Sequence, residues 1–209
     1  MTACTIKYTG NPAKRESTTA ATLFGKEHAG VVRAFHKSMP AYAPTALVKL
    51  DDLASHLGIR SLYVKDESSR FGLNAFKALG GSYCVARVLA QRAGIAEGDL
   101  TFARLREDDV QDIARAMTLI TATDGNHGRG IAWTARELGA KAVVYMPKGS
   151  SPERLQNIRN LGAHAEITDV NYDDTVRLAK RCAEENGWVL VQDTAWQGYE
   201  EIPTWIMQG

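Results

Sequence analysis

The sequence predicts an α/β fold: an open, mostly parallel twisted sheet with flanking helices. Three observations predict it. From Met117 onward, short runs rich in β-branched residues alternate with longer helical stretches, the pattern of successive βαβ units. The boundaries carry punctuation: Gly139, Gly162 and Gly187 follow helices, Pro147 follows a strand, and Ser151-Pro152-Glu153 opens a helix with a cap, a proline and an acid. Finally, Lys77, the loop 121–129 and the stretch Asp193 to Tyr199 each lie just past a predicted strand, the edge at which such sheets bind ligands.

In chain order, residues 1 to about 20 are small and polar, with a turn at Asn11-Pro12. A helix is expected from Ser17, continuing over Glu27 to Lys37 and ended by Pro40 and Pro44. Pro44 to Leu47 reads as extended. Leu50 to Leu57 is a short helix, Ser61 to Asp66 a strand, and Ala78 to about Arg92 a helix. The charged stretch Gly94 to Asp112 reads as a solvated connection with a short helix. Then follow the strand Leu119 to Thr123, helix Asn126 to Leu138, strand Ala142 to Met146, and a helix from Ser151-Pro152 to Gly162. The strand Ala165 to Thr168, helix Asp169 to Asn186, strand Trp188 to Gln192 and a helix from Tyr199 to Gln208 complete the pattern.

The 209 residues are 44% hydrophobic and 23% charged, enough apolar material for a real core. The charge balance, 25 basic against 24 acidic residues, has no long run of one sign, which argues against a nucleic-acid or membrane surface. Cys4, Cys84 and Cys182 are widely spaced and form no CxxC pair, so they read as thiols in a reducing compartment. Without an apolar leader or a long apolar run, a cytoplasmic location is expected. The five histidines lack metal-ligand spacing, and no metal site is expected.

Phe71-Gly-Leu-Asn-Ala-Phe-Lys77 places a lysine between a strand and a helix. An amine held there in a water-poor site has a lowered pKa and can form a Schiff base with a carbonyl. In Thr123-Asp-Gly-Asn-His-Gly128, the glycines let the backbone approach a ligand and the helix start attracts an anion. Asn126 can donate to a phenolate-like oxygen, and Asp124 can move a proton. An Asx-type cap on Asn126, with Asp124 in the turn, accounts equally well for the spacing.

Asn74-Ala-Phe-Lys77-x-Leu-Gly-Gly81 combined with Thr123-Asp-Gly-Asn-His-Gly128 resembles the pyridoxal-phosphate enzymes of the tryptophan-synthase-β type, or fold type II. Val64-Lys-Asp-Glu-Ser68, Met146-Pro-Lys-Gly149, Asn171-Tyr-Asp-Asp-Thr-Val176 and Gln192-Asp-Thr-Ala-Trp196 support it, so the resemblance runs from about residue 35 to the last. The family usually has Ser-Phe-Lys-x-Arg-Gly at the lysine, where this chain has Ala75-Phe-Lys-Ala-Leu-Gly80. It usually has Ser before Gly-Asn in the dehydratases, where this chain has Asp124. Both departures point to the diaminopropionate ammonia-lyase branch rather than to threonine dehydratases.

The resemblance implies that Lys77 carries pyridoxal 5'-phosphate as a Schiff base and takes the Cα proton of an L-substrate. It implies that Phe76 packs beside the ring, Asn126 binds the ring oxygen, Asp124 takes the Cα proton of a D-substrate, and Asp193 positions the substrate amine. The implied reaction is α,β-elimination of ammonia from D- and L-2,3-diaminopropionate, giving pyruvate and two ammonia; a homodimer is implied for the full-length enzyme. The glycine-rich loop that binds the cofactor phosphate and the partner of the pyridine nitrogen have no counterpart in this sequence: there is no GxxxxGK[ST], and no GxGxxG opens a helix after a strand. The chain is therefore expected to be roughly the N-terminal half of such an enzyme, inactive alone. Residues 1–78 and 195–209 would belong to an incomplete larger domain and 79–194 to a smaller one. A serine or threonine dehydratase-type enzyme and a truncated non-catalytic protein are the alternatives.

Overall fold

The computed structural model describes residues 22–209, so the expected start of the first helix at Ser17 lies outside the described residues. The elements are α1 (Lys26–Ser38), β1 (Leu47–Lys49), α2 (Asp51–His56), β2 (Tyr63–Lys65), α3 (Lys77–Ala93), α4 (Phe102–Leu105), α5 (Asp108–Ala116), β3 (Thr118–Ala122), α6 (Asn126–Leu138), β4 (Lys141–Met146), α7 (Pro152–Arg159), β5 (His164–Ile167), α8 (Tyr172–Asn186), β6 (Val189–Leu190) and α9 (Glu201–Gln208). β1 and β2 form an antiparallel pair, Val48 opposite Val64. The other four strands form one parallel sheet in the order β5-β4-β3-β6. The expected parallel sheet is thus observed.

Both faces of the sheet are covered, which explains why β3 and β4 read as continuous apolar runs rather than alternating ones. Leu119, Ala142, Val144 and Met146 join the larger core with α3 and α6. Ile120, Ala122 and Val143 face the other way and pack with Ala179 and Ala183 of α8. Helix α3 runs through the larger core and is buried along most of its length, from Gly80 to Ala86 without a break. Small residues allow that. A Cβ at Gly80 would collide with the Ile206 carbonyl of α9, and one at Gly81 would sit 3.1 Å from Ile131 Cδ1 of α6.

The structure corrects the reading of residues 94–112. The stretch is not a solvated connection with one short helix: it holds a 3-10 turn (Glu97–Asp99), α4 and the start of α5. The charges of α5 occupy one side, while Val110, Gln111 and Ala114 are buried on the other. Gln111 donates to the Leu105 and Leu138 carbonyls at 2.8 and 3.0 Å, closing the C-terminal ends of α4 and α6. The dense charge masked an apolar stripe at helical spacing.

Other boundaries also move: the strand expected over Ser61 to Asp66 narrows to Tyr63–Lys65, and the helix expected from Tyr199 begins at Glu201. The helix expected from Asp169 begins at Tyr172, because Asn171 caps it and accepts from Asp174 N at 3.0 Å. The strand expected over 188–192 narrows to Val189–Leu190. Past it, Val191 N still donates to Ile120 O at 2.8 Å. The wholly buried Gln192 then pairs through its side chain: Oε1 accepts from Ala122 N at 3.0 Å and Thr121 Oγ1 at 3.1 Å, and Nε2 donates to Tyr172 Oη at 3.0 Å.

Overpacking a core commonly costs about 1–3 kcal/mol, so Gly80→Ala, which meets main chain, is expected to lower the urea midpoint. Gly30→Ala on α1 meets nothing within 4 Å and is expected to stabilise by roughly 0.5–1 kcal/mol, the helix propensity difference. Equal midpoints for the two variants would show that α9 is not packed on α3 in this way.

Candidate active site

In the order β5-β4-β3-β6 the chain steps from β3 to β4 on one side and returns to β6 on the other. The loops after β3 and β6 therefore part at their carboxyl ends, and that crevice is where parallel sheets take ligands. The residues there are Thr123 to His127 from the first loop and Gln192 to Asp193 from the second. Lys77 is brought to them by α3.

The approach of Lys77 depends on glycine. A Cβ on Gly130 would lie 3.1 Å from Ala78 N and 3.3 Å from Lys77 C, so α6 meets the start of α3 backbone to backbone. Asn126 lies one turn before Gly130 on the same face of α6. The loop leading to Lys77 is bent by Phe71 and Asn74, both at positive φ (50° and 54°). For phenylalanine this is a strained conformation, tolerated where surrounding contacts over-determine it. Those contacts are present: the Phe71 ring stacks on Trp133 at 4.4 Å, and Arg129 donates to the Leu73 carbonyl at 2.9 Å. Upstream, the buried Arg70 is held by Glu67 at 2.6 Å and donates to the Ala43 carbonyl at 2.8 Å.

The start of α6 is capped by a residue that the sequence did not single out. Thr123 Oγ1 accepts from Gly125 N at 3.0 Å and Gly128 N at 3.2 Å. The Asx-type cap on Asn126 is not observed; Asn126 is the first helical residue and is exposed. A Cβ on Gly128 would collide with the Thr123 methyl and lie 2.7 Å from Val144 Cγ1, so only glycine lets this turn settle on β3 and β4.

Lys77 Nζ donates to Asp193 Oδ2 at 2.7 Å. The pair stands in a half-open cavity of about 340 Å³ lined by Phe76, Lys77, Leu79, Gly80, His127 and Asp193, and bordered by Ile206 and Met207 of α9. The lining is apolar apart from Lys77, His127 and Asp193. His127 is buried, and its Nε2 donates to the Val191 carbonyl at 2.8 Å, since a carbonyl can only accept. Its Nδ1 has no hydrogen-bond partner among the described residues and lies 3.7 Å from Asp193 Oδ2. Burial holds the His127 imidazole below its ordinary pKa, and the Lys77 charge lowers it further. Burial alone would raise the Asp193 carboxyl, but the basic groups of His127 and Lys77 outweigh it and hold the acid ionised below its ordinary range. With His127 neutral, the cation facing Asp193 near pH 7 is Lys77.

The structure brings Lys77, Phe76 and Asp193 together, with Asp193 on the lysine amine rather than on a substrate. Asp124 and Asn126 stand beside this cavity without lining it. Asp124 is exposed, and its carbonyl accepts from Arg154 at 3.1 Å. His127 and Gln192 are members of the site that sequence reasoning missed. His127 lies inside the Thr123–Gly128 motif, and nothing in its spacing distinguishes it from a packed histidine.

Residues 38–206, which hold this lysine–carboxylate site, match a family model for "pyridoxal-phosphate dependent enzyme". The chain belongs to the pyridoxal-phosphate dependent enzyme family. It is 54% identical over 206 residues to diaminopropionate ammonia-lyase of Salmonella typhimurium strain LT2, covering 98% of this chain and 51% of that one. The apo crystal structure of diaminopropionate ammonia-lyase from Escherichia coli superposes with a TM-score of 0.83 at 53% identity, over 89% of this chain and 50% of that one. The same enzyme in complex with an aminoacrylate-PLP azomethine reaction intermediate gives 0.80 at 51% identity, over 89% and 46%. The chain thus spans about half the length of the relatives it matches. Among the described residues no helix is long and apolar enough to cross a membrane, and no cluster of His, Cys, Asp and Glu could hold a metal. Cys84 and Cys182 are free thiols.

The buried histidines set the pH response of this family member. His36, buried with Nε2 on the Leu79 carbonyl at 3.1 Å, is also held below its ordinary pKa by burial. As pH falls below about 6.5 the unfolded chain takes up protons that His36 and His127 refuse, so stability falls with pH there. The contribution of Asp193 has its window lower: it is present above about pH 4 and lost as pH drops through the depressed folded value. Urea midpoints measured from pH 7.5 to 5.5 are expected to decline, less steeply in His127→Gln. An unchanged slope in that variant would show that His127 already binds its proton in the fold.

Proposed function

We propose that the full-length protein eliminates ammonia from 2,3-diaminopropionate of either hand, giving pyruvate and ammonia, with pyridoxal 5'-phosphate on Lys77. The observation that carries this reading is the Lys77–Asp193 contact of 2.7 Å inside a cavity whose lining is apolar apart from that pair and His127. The names of the relatives support the substrate, and the azomethine in the second of the two crystal structures supports the cofactor.

The cavity suits a planar aromatic aldehyde: an amine to bond its carbonyl, the Phe76 ring beside it, and a lining without competing polar groups. It does not suit a phosphate dianion, which needs several amides or cations to offset its desolvation. Lys77 is the one ammonium in the lining, and it is engaged by Asp193. The phosphate partners must lie elsewhere, and the 209-residue chain alone is expected to hold the cofactor weakly and to be inactive. When bound, the cofactor supplies an electron sink for the substrate Cα. The chain's own residues do the rest. Lys77 Nζ takes the Cα proton from the L-isomer, Asp124 takes it from the opposite face of the D-isomer, Asn126 holds the ring oxygen and Asp193 orients the amines. Loss of that proton drives out the β-amine as ammonia, and the aminoacrylate released takes up water to give pyruvate and a second ammonia.

The division into 1–78 with 195–209 and 79–194 is supported by the separation of the β1–β2 pair from the four-stranded sheet. Exposed apolar side chains on β1 and β2 (Leu47, Val48, Tyr63 and Val64) leave area for a larger domain, and for the proposed homodimer. The reading also includes a cytoplasmic location, in keeping with free thiols.

Asp124 separates this reading from a dehydratase. Removing a positioned base costs about 10²–10⁴-fold in rate. Asp124→Asn in the full-length enzyme is expected to lose pyruvate release from D-diaminopropionate by that order while largely keeping the L-isomer. Equal losses on both isomers, or faster release from serine or threonine than from diaminopropionate, would contradict it.

A further inference from the structure

One group at the Lys77 site has no task in the reading above. The ring of His127 is pinned by its Nε2–H on the Val191 carbonyl, so its other nitrogen, Nδ1, must present a lone pair toward the cavity. A buried nitrogen without a partner carries a desolvation cost, and such orphans call for an explanation. What Nδ1 faces, at 3.7 Å, is the oxygen that Lys77 already occupies, Asp193 Oδ2. A lone pair opposite a carboxylate is an idle arrangement. With one proton added at Nδ1 it becomes a charge-assisted hydrogen bond after a closure of less than an ångström.

We propose that His127 is a positioning residue that shares Asp193 with Lys77: it closes on Asp193 Oδ2 through a protonated Nδ1 whenever the lysine nitrogen gives up its positive charge. The charge count makes the exchange neutral. With Lys77 as ammonium, His127 uncharged and Asp193 ionised, the trio sums to zero. When the proton leaves Nζ and is taken up at Nδ1, the sum is again zero, and Asp193 keeps a cation on the same oxygen. Asp193 then stays ionised and aligned while the lysine nitrogen is free to bond a carbonyl or accept a proton. Two charged side chains act on His127, Asp193 from the segment after β6 and Lys77 from the start of α3, and they act in opposite directions. Removing the Lys77 charge leaves the carboxylate unopposed. Tyr199, which follows Asp193, is kept protonated by burial and does not compete as an anion.

The proposal rests on the reading of Lys77 as the carbonyl-reactive amine, but its test uses no cofactor, so the two can fail separately. The experiment is a pH titration of ¹⁵N-histidine-labelled protein, reading the nitrogens of His127 in the wild type, Lys77→Met, Lys77→Gln and Asp193→Asn. In the wild type His127 is expected as the neutral Nε2–H tautomer at pH 7. An unopposed carboxylate at this distance raises a neighbouring base by roughly 1–3 pH units, so both lysine variants are expected to raise the His127 midpoint by at least about one. Asp193→Asn is expected to lower it below the wild-type value. Lys77→Gln covers the case in which Lys77→Met does not fold, and Asp193→Asn tests the same coupling from the other side. A wild-type Nδ1–H tautomer, a midpoint that ignores the loss of the lysine, or one that ignores the loss of the carboxylate each overturns the proposal.

Discussion

The contact at which α6 meets α3 backbone to backbone is the constraint on which the site depends. Any side chain at Gly130 would have to sit about 3.1 Å from Ala78 N, against main chain that can give way only by moving the helices apart by a few tenths of an ångström. That one approach fixes the start of α3 against the start of α6, and so sets Lys77 over the crevice between β3 and β6. It also explains why strain is tolerated just upstream. The loop reaches Lys77 by turning through positive φ at Phe71 and Asn74, and Trp133 and Arg129 of α6 hold it there.

Around that frame the chemistry is one of charge in an apolar space. Lys77, Asp193 and His127 are the polar members of the lining, and each answers to the others. Asp193 is placed by its neighbour: Gln192 spends its whole side chain on β3 and Tyr172, and its amide on Tyr199 Oη at 2.9 Å. The carboxylate is thus anchored by the sheet rather than by a loose loop, and Lys77 meets a fixed partner. Functional groups held by a rigid second layer in this way lose less precision to thermal motion than groups on free loops.

Much of this was legible in the sequence, for identifiable reasons. The parallel sheet follows from buried apolar runs separated by glycines and a proline, and helix α6 was read over its observed range because Gly139 ends it. Lys77 and Asp193 stood out because each follows a predicted strand, and the family resemblance gave them their expected roles. What escaped notice were the places where a side chain does a main-chain group's work. Gln192 replaces a rung of the ladder at Ala122, which shortens β6. Thr123, not Asn126, caps α6. Gln111 and the apolar stripe of α5 were hidden beneath Asp108, Asp109 and Asp112. The task of His127 was invisible because its partners, Val191 and Asp193, are brought to it only by the crossover to β6.

The central claim is that Lys77, and no other lysine near this edge, is the amine that bonds the cofactor carbonyl. The most direct measurement is borohydride reduction of the full-length protein loaded with pyridoxal phosphate, followed by peptide mapping of the fixed label. Lys65 is the informative comparison, since it lies just upstream on β2 and its Nζ is tied to the Thr45 carbonyl at 2.6 Å, with half its side chain exposed. The account expects the pyridoxyl group on Lys77. A label on Lys65 or Lys148 would contradict it.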